Sequence, residues 1–253
     1  MEEFIPSESN REENRDLSDA YFDILSHDVT DLISPMMVHA EFISVNGELP
    51  KEVRESAAKI VKLIRRTANF ILSFRMLHEI ALNPPTDTEE FDMRSLVQRM
   101  QESASSEYPF NRPSISVVAL PDGLMEVVGA EYVRMIVVGL VDNAIRNAPR
   151  AEVDVKITLS EVDRDDGAPM WRCEVIDDGP GIPDASKAEI VQPFEASRRL
   201  TRKSPSSLMF YSAILERMGG RLMIEDRVPG DVSKGTRAVM ELPRAKPAGA
   251  CAV

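Results

Sequence analysis

Val175-Ile176-Asp177-Asp178-Gly179-Pro180-Gly181-Ile182-Pro183 is the most specific string in the chain. The run Met170 to Ile176 is β-rich, so an apolar strand ends here on a carboxylate. Gly179 and Gly181 then permit a tight turn whose backbone lies close to a ligand. A carboxylate buried at a strand end accepts a hydrogen bond from an exocyclic amine such as that of adenine. The competing reading is an ordinary glycine–proline turn. The string alone leaves both open, and its flanks have to decide.

Thirty-four residues upstream of Asp177 (177 − 143) stands Asn143, in Gly139-Leu140-Val141-Asp142-Asn143-Ala144-Ile145-Arg146-Asn147. Apolar spacing predicts an amphipathic helix from Glu131 to Asn147. Asn143 offers a carboxamide oxygen to a hard cation such as Mg²⁺, which prefers oxygen ligands and keeps part of its water. Arg146 or Asn147 is placed to reach phosphate. The alternative is the polar face of a surface helix. Around these strings the sequence predicts helices at Arg94–Ser105 and Ser206–Met218, the latter stopped by Gly219-Gly220. It predicts strands at Ser114–Leu120, Ala151–Val162, Met170–Ile176, Arg221–Asp226 and Thr236–Leu242. They follow no regular βαβ rhythm, which favours an α+β layer, a mixed sheet with helices on one side.

Before Asn83-Pro84-Pro85-Thr86, a helix breaker, the pattern differs. Phe22, Leu25, Val29, Leu32, Met36, His39 and Ile43 step by three and four, the seam of a helix that packs on other helices. Pro35 removes one backbone bond and predicts a kink. Asn46-Gly47-Glu48-Leu49-Pro50 is a turn into a second helix reaching about Leu82. That helix carries Val53, Ala57, Ile60, Ile64, Thr67, Ile71, Phe74, His78 and Ala81, widened by Leu63, Phe70 and Leu77. The two form an antiparallel hairpin. One hairpin cannot bury so wide a stripe, so pairing with a second copy into a four-helix bundle, a homodimer, is expected. His39 and His78 fall on the seams and are expected in the core. His27 falls off the seam and should face solvent, with Asp28 beside it and Asp31 one turn on. An exposed imidazole titrates near neutrality and is a nucleophile, which a neighbouring carboxylate can orient or deprotonate.

Composition narrows the partners. Net charge is −12, from 42 acidic and 30 basic residues, which disfavours general attraction to nucleic acid. No apolar run approaches the length of a membrane span, and Met1-Glu2-Glu3 lacks the basic and apolar regions of a leader. Cys173 and Cys251 are the two cysteines, one in a predicted strand and one in a polar tail. A bridge between them is not expected, and a reducing, cytoplasmic setting suits the chain.

The order of a His-acidic helix, a hairpin, an Asn-Ala helix and then Asp-x-Gly-x-Gly-Ile-Pro resembles the core of a sensor histidine kinase of two-component systems, over about residues 17 to 243. The resemblance implies a dimeric helical domain bearing a phosphorylated histidine. It also implies a catalytic domain of the Bergerat ATP-binding fold, shared with type II topoisomerases and Hsp90-like chaperones. By that resemblance His27 is the phosphoacceptor and Asp28 its acidic neighbour. Asn143 binds Mg²⁺, Asp177 binds adenine, and Gly179 and Gly181 shape the loop. Lys234-Gly235-Thr236 resembles the Gly-Thr start of the last strand. The implied organisation is a flexible lead (1–16), a dimerisation and phosphoacceptor domain (17–82), a linker (83–90), an ATP-binding domain (91–243) and a tail (244–253). The implied partners are a response regulator receiver domain, a second copy and a separate sensory protein.

One further feature fits the kinase reading, and two depart from the family pattern. Relatives that hydrolyse ATP with water carry a glutamate four residues before the asparagine, and Gly139 stands there, which fits transfer to a side chain. The second glycine motif is replaced by Lys203-Ser204-Pro205-Ser206-Ser207-Leu208, preceded by Arg198, Arg199 and Arg202, so hydroxyls and charge stand where backbone N–H groups close on phosphate. Asp31 stands where relatives have Thr or Asn four residues after the histidine, and an ionised carboxylate cannot donate a hydrogen bond to water. These departures keep two other readings in view: a phosphotransfer protein with a vestigial ATP site, and a nucleotide-sensing module that docks a partner without phosphorylation.

Overall fold

The computed structural model describes residues 28–29, 31–108, 112–121, 123–148, 152–191 and 207–245. His27, the basic residues Arg198, Arg199, Arg202 and Lys203, and Cys251 lie outside the described residues. The chain divides into two compact units, Met1–His78 and Glu79–Val253.

The first unit is a helical hairpin. Helix α1 spans residues 31–45 and helix α2 spans Lys51–Leu82. In the turn between them the Glu48 and Leu49 N–H groups bond to the Asn46 side chain and carbonyl. Asn46 thus supplies the turn with both of its oxygens. Ala40, Val61 and Ile64 are buried at the contact between the helices, with Ile33 and Met37 packed against them. Glu41 and Arg65 form an ion pair across it. This contact lies one position round from the predicted seam. In the single chain Leu32 and Met36 are 66% and 55% exposed, and His39 is exposed too. On α2, Ile60 and Leu63 face outward while Ala57, Val61 and Ile64 are buried. Both helices carry two adjacent apolar stripes, and periodicity alone does not say which of them meets the other helix.

The second unit is an α+β layer. Its elements are β1 (Thr88–Phe91), α3 (Met93–Glu107), β2 (Arg112–Ala119), β3 (Met125–Val128), α4 (Ala130–Asn147), β4 (Glu152–Asp163), β5 (Pro169–Asp177), α5 (Asp184–Val191), α6 (Ser207–Arg217), β6 (Arg221–Val228) and β7 (Asp231–Pro243). Five strands form one sheet in the order β2-β4-β5-β7-β6, with β2 and β4 parallel and the other neighbours antiparallel. β1 and β3 make a separate antiparallel pair. The sequence placed β1 in a linker and did not foresee β3 or α5. β1 and β3 are four residues each, too short to show an alternation, and α5 has no buried residue to set a period.

Side-chain parity organises the sheet. Val153, Val155, Ile157 and Leu159 of β4 are buried in strict alternation, as are Trp171, Cys173 and Val175 of β5. They form one face with Met240 and Leu242 of β7, and α4 and α6 cover it with Val133, Ile136, Leu140, Phe210 and Ile214. Cys173 is fully buried, and burial pushes its thiol up to about 12. Among the described residues no helix is long and apolar enough to cross a membrane.

The opposite face carries ion pairs. Glu241 on β7 accepts from Arg172 Nε at 2.7 Å and from Arg221 Nε at 2.6 Å, its neighbours on β5 and β6. Glu241 is only 2% exposed. Burial pushes its carboxyl up, but the hydrogen bonds and charges of Arg221 and Arg172 together outweigh burial and hold it below its ordinary value of 4.5. A lowered folded-state value adds stability above the ordinary pKa, and this is lost as pH falls through the lowered one. Glu241→Gln should therefore destabilise the domain by roughly 1–3 kcal/mol near neutral pH. Thermal unfolding followed by circular dichroism should show the gap from wild type closing as pH is taken below 4.5.

Candidate functional site

The buried row Trp171, Cys173, Val175 continues by parity to Asp177, the last residue of β5. The neighbouring row on β7 and β6 runs out in the same way, on Thr236 paired with Asp226. At this end of the sheet the covered face turns from apolar to polar. Asp177 and Thr236 are 9% and 8% exposed. The Asp177 carboxylate accepts from Gly179 N at 2.8 Å and from Thr236 N at 3.3 Å, both on Oδ1. Oδ2 takes no hydrogen bond from the described residues. Burial raises the Asp177 carboxyl above its ordinary value of 3.8, and the two N–H groups partly oppose that rise. Asp178 points to the other side, where its Oδ1 accepts from Asp154 N at 3.0 Å at the start of β4. Adjacent carboxylates thus do different work, one closing the sheet and one left with an acceptor at its end.

Glycines bring the backbone close around Asp177. A Cβ on Gly179 would lie 2.7 Å from Asp177 Oδ1. Gly181 has φ +71°, and a Cβ there would meet the Val232 carbonyl oxygen at 1.8 Å. Gly235 has φ +113°, and its Cβ would meet the Asp177 carbonyl oxygen at 2.0 Å. The loop after β5 and the hairpin into β7 therefore touch through bare backbone, which only glycine allows at these angles. Lys187 of α5 bonds both Asp184 and Asp226, tying α5 to the polar end of β6.

Helix α4 starts at Gly129 without a side-chain cap of its own, and Glu89 of β1 accepts from Ala130 N at 3.3 Å in its place. The helix buries most of its residues and keeps Asn143 half-buried on α6's side, where its Nδ2 donates to Ser207 Oγ at 3.3 Å. Asn147 is exposed and donates to the Asn143 carbonyl at 2.8 Å. Arg146 bonds Asp142 and lies over the Tyr108 ring, 4.9 Å from its centroid. Tyr108 itself donates to Asp142 at 3.0 Å. The Arg146 guanidinium is thus engaged within a Tyr108–Asp142–Arg146 cluster joining α4 to the end of α3. Gly139 lies against α6. A Cβ at 139 would sit 2.0 Å from the Tyr211 hydroxyl, so no side chain fits there.

Of the residues singled out in the sequence, the structure brings Asp177, Gly179, Gly181 and Thr236 together at one end of the sheet and sets Asn143, Arg146 and Asn147 along α4. Asp28 is exposed. Three contacts had no sequence signal: Ser207 on Asn143, Tyr211 on Gly139, and the Asp184–Lys187–Asp226 bridge. Each joins groups whose pairing depends on how α5 and α6 fold back.

This donor set fits a nucleotide carrying Mg²⁺. Among the described residues no group of three or more His, Cys, Asp or Glu is placed to hold a metal ion. Mg²⁺ that arrives on phosphates needs only one or two protein oxygens, and the Asn143 carboxamide oxygen is of the kind it accepts. Asp177 Oδ2 is a buried-edge acceptor suited to an amine, and the glycines leave room for a ligand at the backbone.

Comparison with known proteins agrees with this geometry. Residues 130–246 match the family described as histidine kinase-, DNA gyrase B-, and HSP90-like ATPase. The sensor histidine kinase AruS of Pseudomonas aeruginosa is 24% identical over 211 residues, 81% of this chain, though the chain spans only 21% of that protein. Full-length ShkA, solved in complex with AMPPNP, superposes with a TM-score of 0.57 at 18% identity, covering 90% of this chain and 46% of ShkA. The Acinetobacter baumannii histidine kinase AdeS gives 0.51 at 14% identity, covering 86% of this chain and 96% of that one. Residues 130–246 therefore match the histidine kinase-, DNA gyrase B- and HSP90-like ATPase family, within a chain whose fold is similar to that of solved histidine kinases.

Proposed function

We propose that this chain is the core of a cytoplasmic histidine kinase of a two-component system. It phosphorylates itself on His27 with ATP and passes the phosphoryl group to an aspartate of a response regulator receiver domain. The observation that carries the reading is the Asp177 carboxylate, held on Oδ1 by two backbone N–H groups and left with Oδ2 as an acceptor. On this reading Oδ2 accepts the exocyclic amine of adenine, and Gly179 and Gly181 let the backbone approach the base. Asn143 would give its carboxamide oxygen to Mg²⁺, and Asn147, one turn on, would reach phosphate. Arg146 holds Asp142 through Nε and would offer its Nη groups to phosphate.

Bound Mg²⁺ would neutralise part of the triphosphate charge. The chain supplies the rest by position. A ring nitrogen of His27 bonds to the γ-phosphorus as the bond to the bridging oxygen breaks. ADP leaves with that electron pair, and Asp28 orients the ring or takes its proton. Exposed Leu32, Met36, Phe42, Ile60 and Leu63 support pairing of two hairpins into a four-helix bundle.

Incubation of the purified chain with γ-labelled ATP and Mg²⁺ tests the reading. Label should appear, be acid-labile and base-stable as a phosphoramidate is, and vanish in His27→Gln. If His27 is instead labelled only by a phosphorylated receiver domain, the chain is a phosphotransfer protein with a vestigial ATP site.

Asp177→Asn keeps the Oδ1 contacts but turns a donor toward the amine. Titration calorimetry should show ATP affinity reduced at least tenfold, about 1.4 kcal/mol. The melting temperature should be unchanged or higher, since the amide carries no buried charge.

Because burial raises the Asp177 carboxyl, wild-type affinity should begin to fall on acidification at a pH above 3.8, as protonation removes the acceptor. That component should be missing from Asp177→Asn, measured over the same pH range.

A further inference from the structure

The first turn of α6 meets α4 at two points one turn apart. Ser207 and Tyr211 are i and i+4 on α6, so they share a face. Asn143 and Gly139 are related in the same way on α4. Tyr211 fills the notch at Gly139, where even a Cβ would lie 2.0 Å from its hydroxyl. Tyr211 is 3% exposed, so this contact is fixed by packing. It sets the register of the two helices and places Ser207 Oγ over Asn143, with Nδ2 donating to it at 3.3 Å.

A carboxamide is planar, and its nitrogen and oxygen diverge from one carbon. Committing Nδ2 to α6 turns Oδ1 away from α6. Without that anchor the amide would rotate freely about its last torsion and offer nitrogen as often as oxygen. A cation accepts only the oxygen.

We propose that Ser207 is a positioning residue: its hydroxyl holds the Asn143 amide nitrogen and so aims Oδ1 at the Mg²⁺ that arrives with ATP. This rests on the assignment of Asn143 to Mg²⁺ made above. It also gives Ser207, the described end of a serine-rich stretch, a role of its own. Its hydroxyl acts on the cation ligand, where a glycine at that position would leave the amide unheld.

The test is calorimetric titration of the full chain with AMPPNP, with Mg²⁺ and again with chelator, alongside the ¹⁵N-edited spectrum of the Asn143 side chain without nucleotide. In wild type Mg²⁺ should tighten binding. Ser207→Ala should leave the affinity in chelator within twofold and lose about fivefold of the gain from Mg²⁺, the size of one lost hydrogen bond. Ser207→Thr, which keeps the hydroxyl, should restore the gain. The Asn143 amide signals should shift in Ser207→Ala and stay in place in Ser207→Thr. An unchanged gain in Ser207→Ala, while Asn143→Ala loses it, overturns the positioning role and leaves the Mg²⁺ assignment standing. Equal losses with and without Mg²⁺ overturn it too, since they mean Ser207 only supports α6. Tighter Mg²⁺-dependent binding in Ser207→Ala would mean the hydroxyl competes for Oδ1, the reverse of the proposal. A full Mg²⁺ gain in Asn143→Ala overturns the underlying assignment and this proposal with it.

Discussion

One carboxylate oxygen, Asp177 Oδ1, organises the end of the sheet. It takes the N–H of Gly179 from the loop after β5 and the N–H of Thr236 from β7. Two segments far apart in sequence are joined through an atom that is almost out of water. Burying a carboxylate is unfavourable unless its hydrogen bonds are made, and the raised pKa shows that the two N–H groups offset burial only in part. The remaining cost is stored at a place with an acceptor to spare. That is how a fold can hold a recognition group ready without the ligand: the residues that fix the carboxylate all work on one oxygen and leave the other.

Everything near this point serves to bring backbone to Asp177. Gly181 and Gly235 adopt left-handed angles with neighbours at distances no side chain tolerates. Asp178 turns the opposite way and bonds the start of β4, which stops the loop from rotating. Farther out, the Asp184–Lys187–Asp226 bridge ties α5 to the same sheet end. On the far face, Glu241 between two arginines keeps β5, β7 and β6 in line beneath it.

Much of this was legible in the sequence where one local rule applied. Asp177 could be placed because strand parity and a glycine turn agree, and the five strands of the main sheet could be read from their β-rich runs. The hairpin was legible as two helices, but not its contact. Leu32 and Met36 compete with Ile33 and Met37 for the interior, and only the positions of Val61 and Ile64 settle that. β1 and β3 were hidden by their length, and α5 by a face with nothing to bury. The partners of Arg146 were hidden for another reason: Tyr108 lies at the end of a different helix, and no spacing rule links residue 108 to residue 142. Ser207 read as a loss, a serine in place of glycine, until its contact with Asn143 was seen.

The notch at Gly139 has a consequence for how the chain can change over time. Tyr211 needs the space of a missing side chain, and Gly139 is held at glycine by that tyrosine. Position 139 cannot enlarge alone: any side chain there requires a smaller residue at 211, and a bulkier ring at 211 has no further space to take. Two residues 72 apart (211 − 139) therefore limit each other's size.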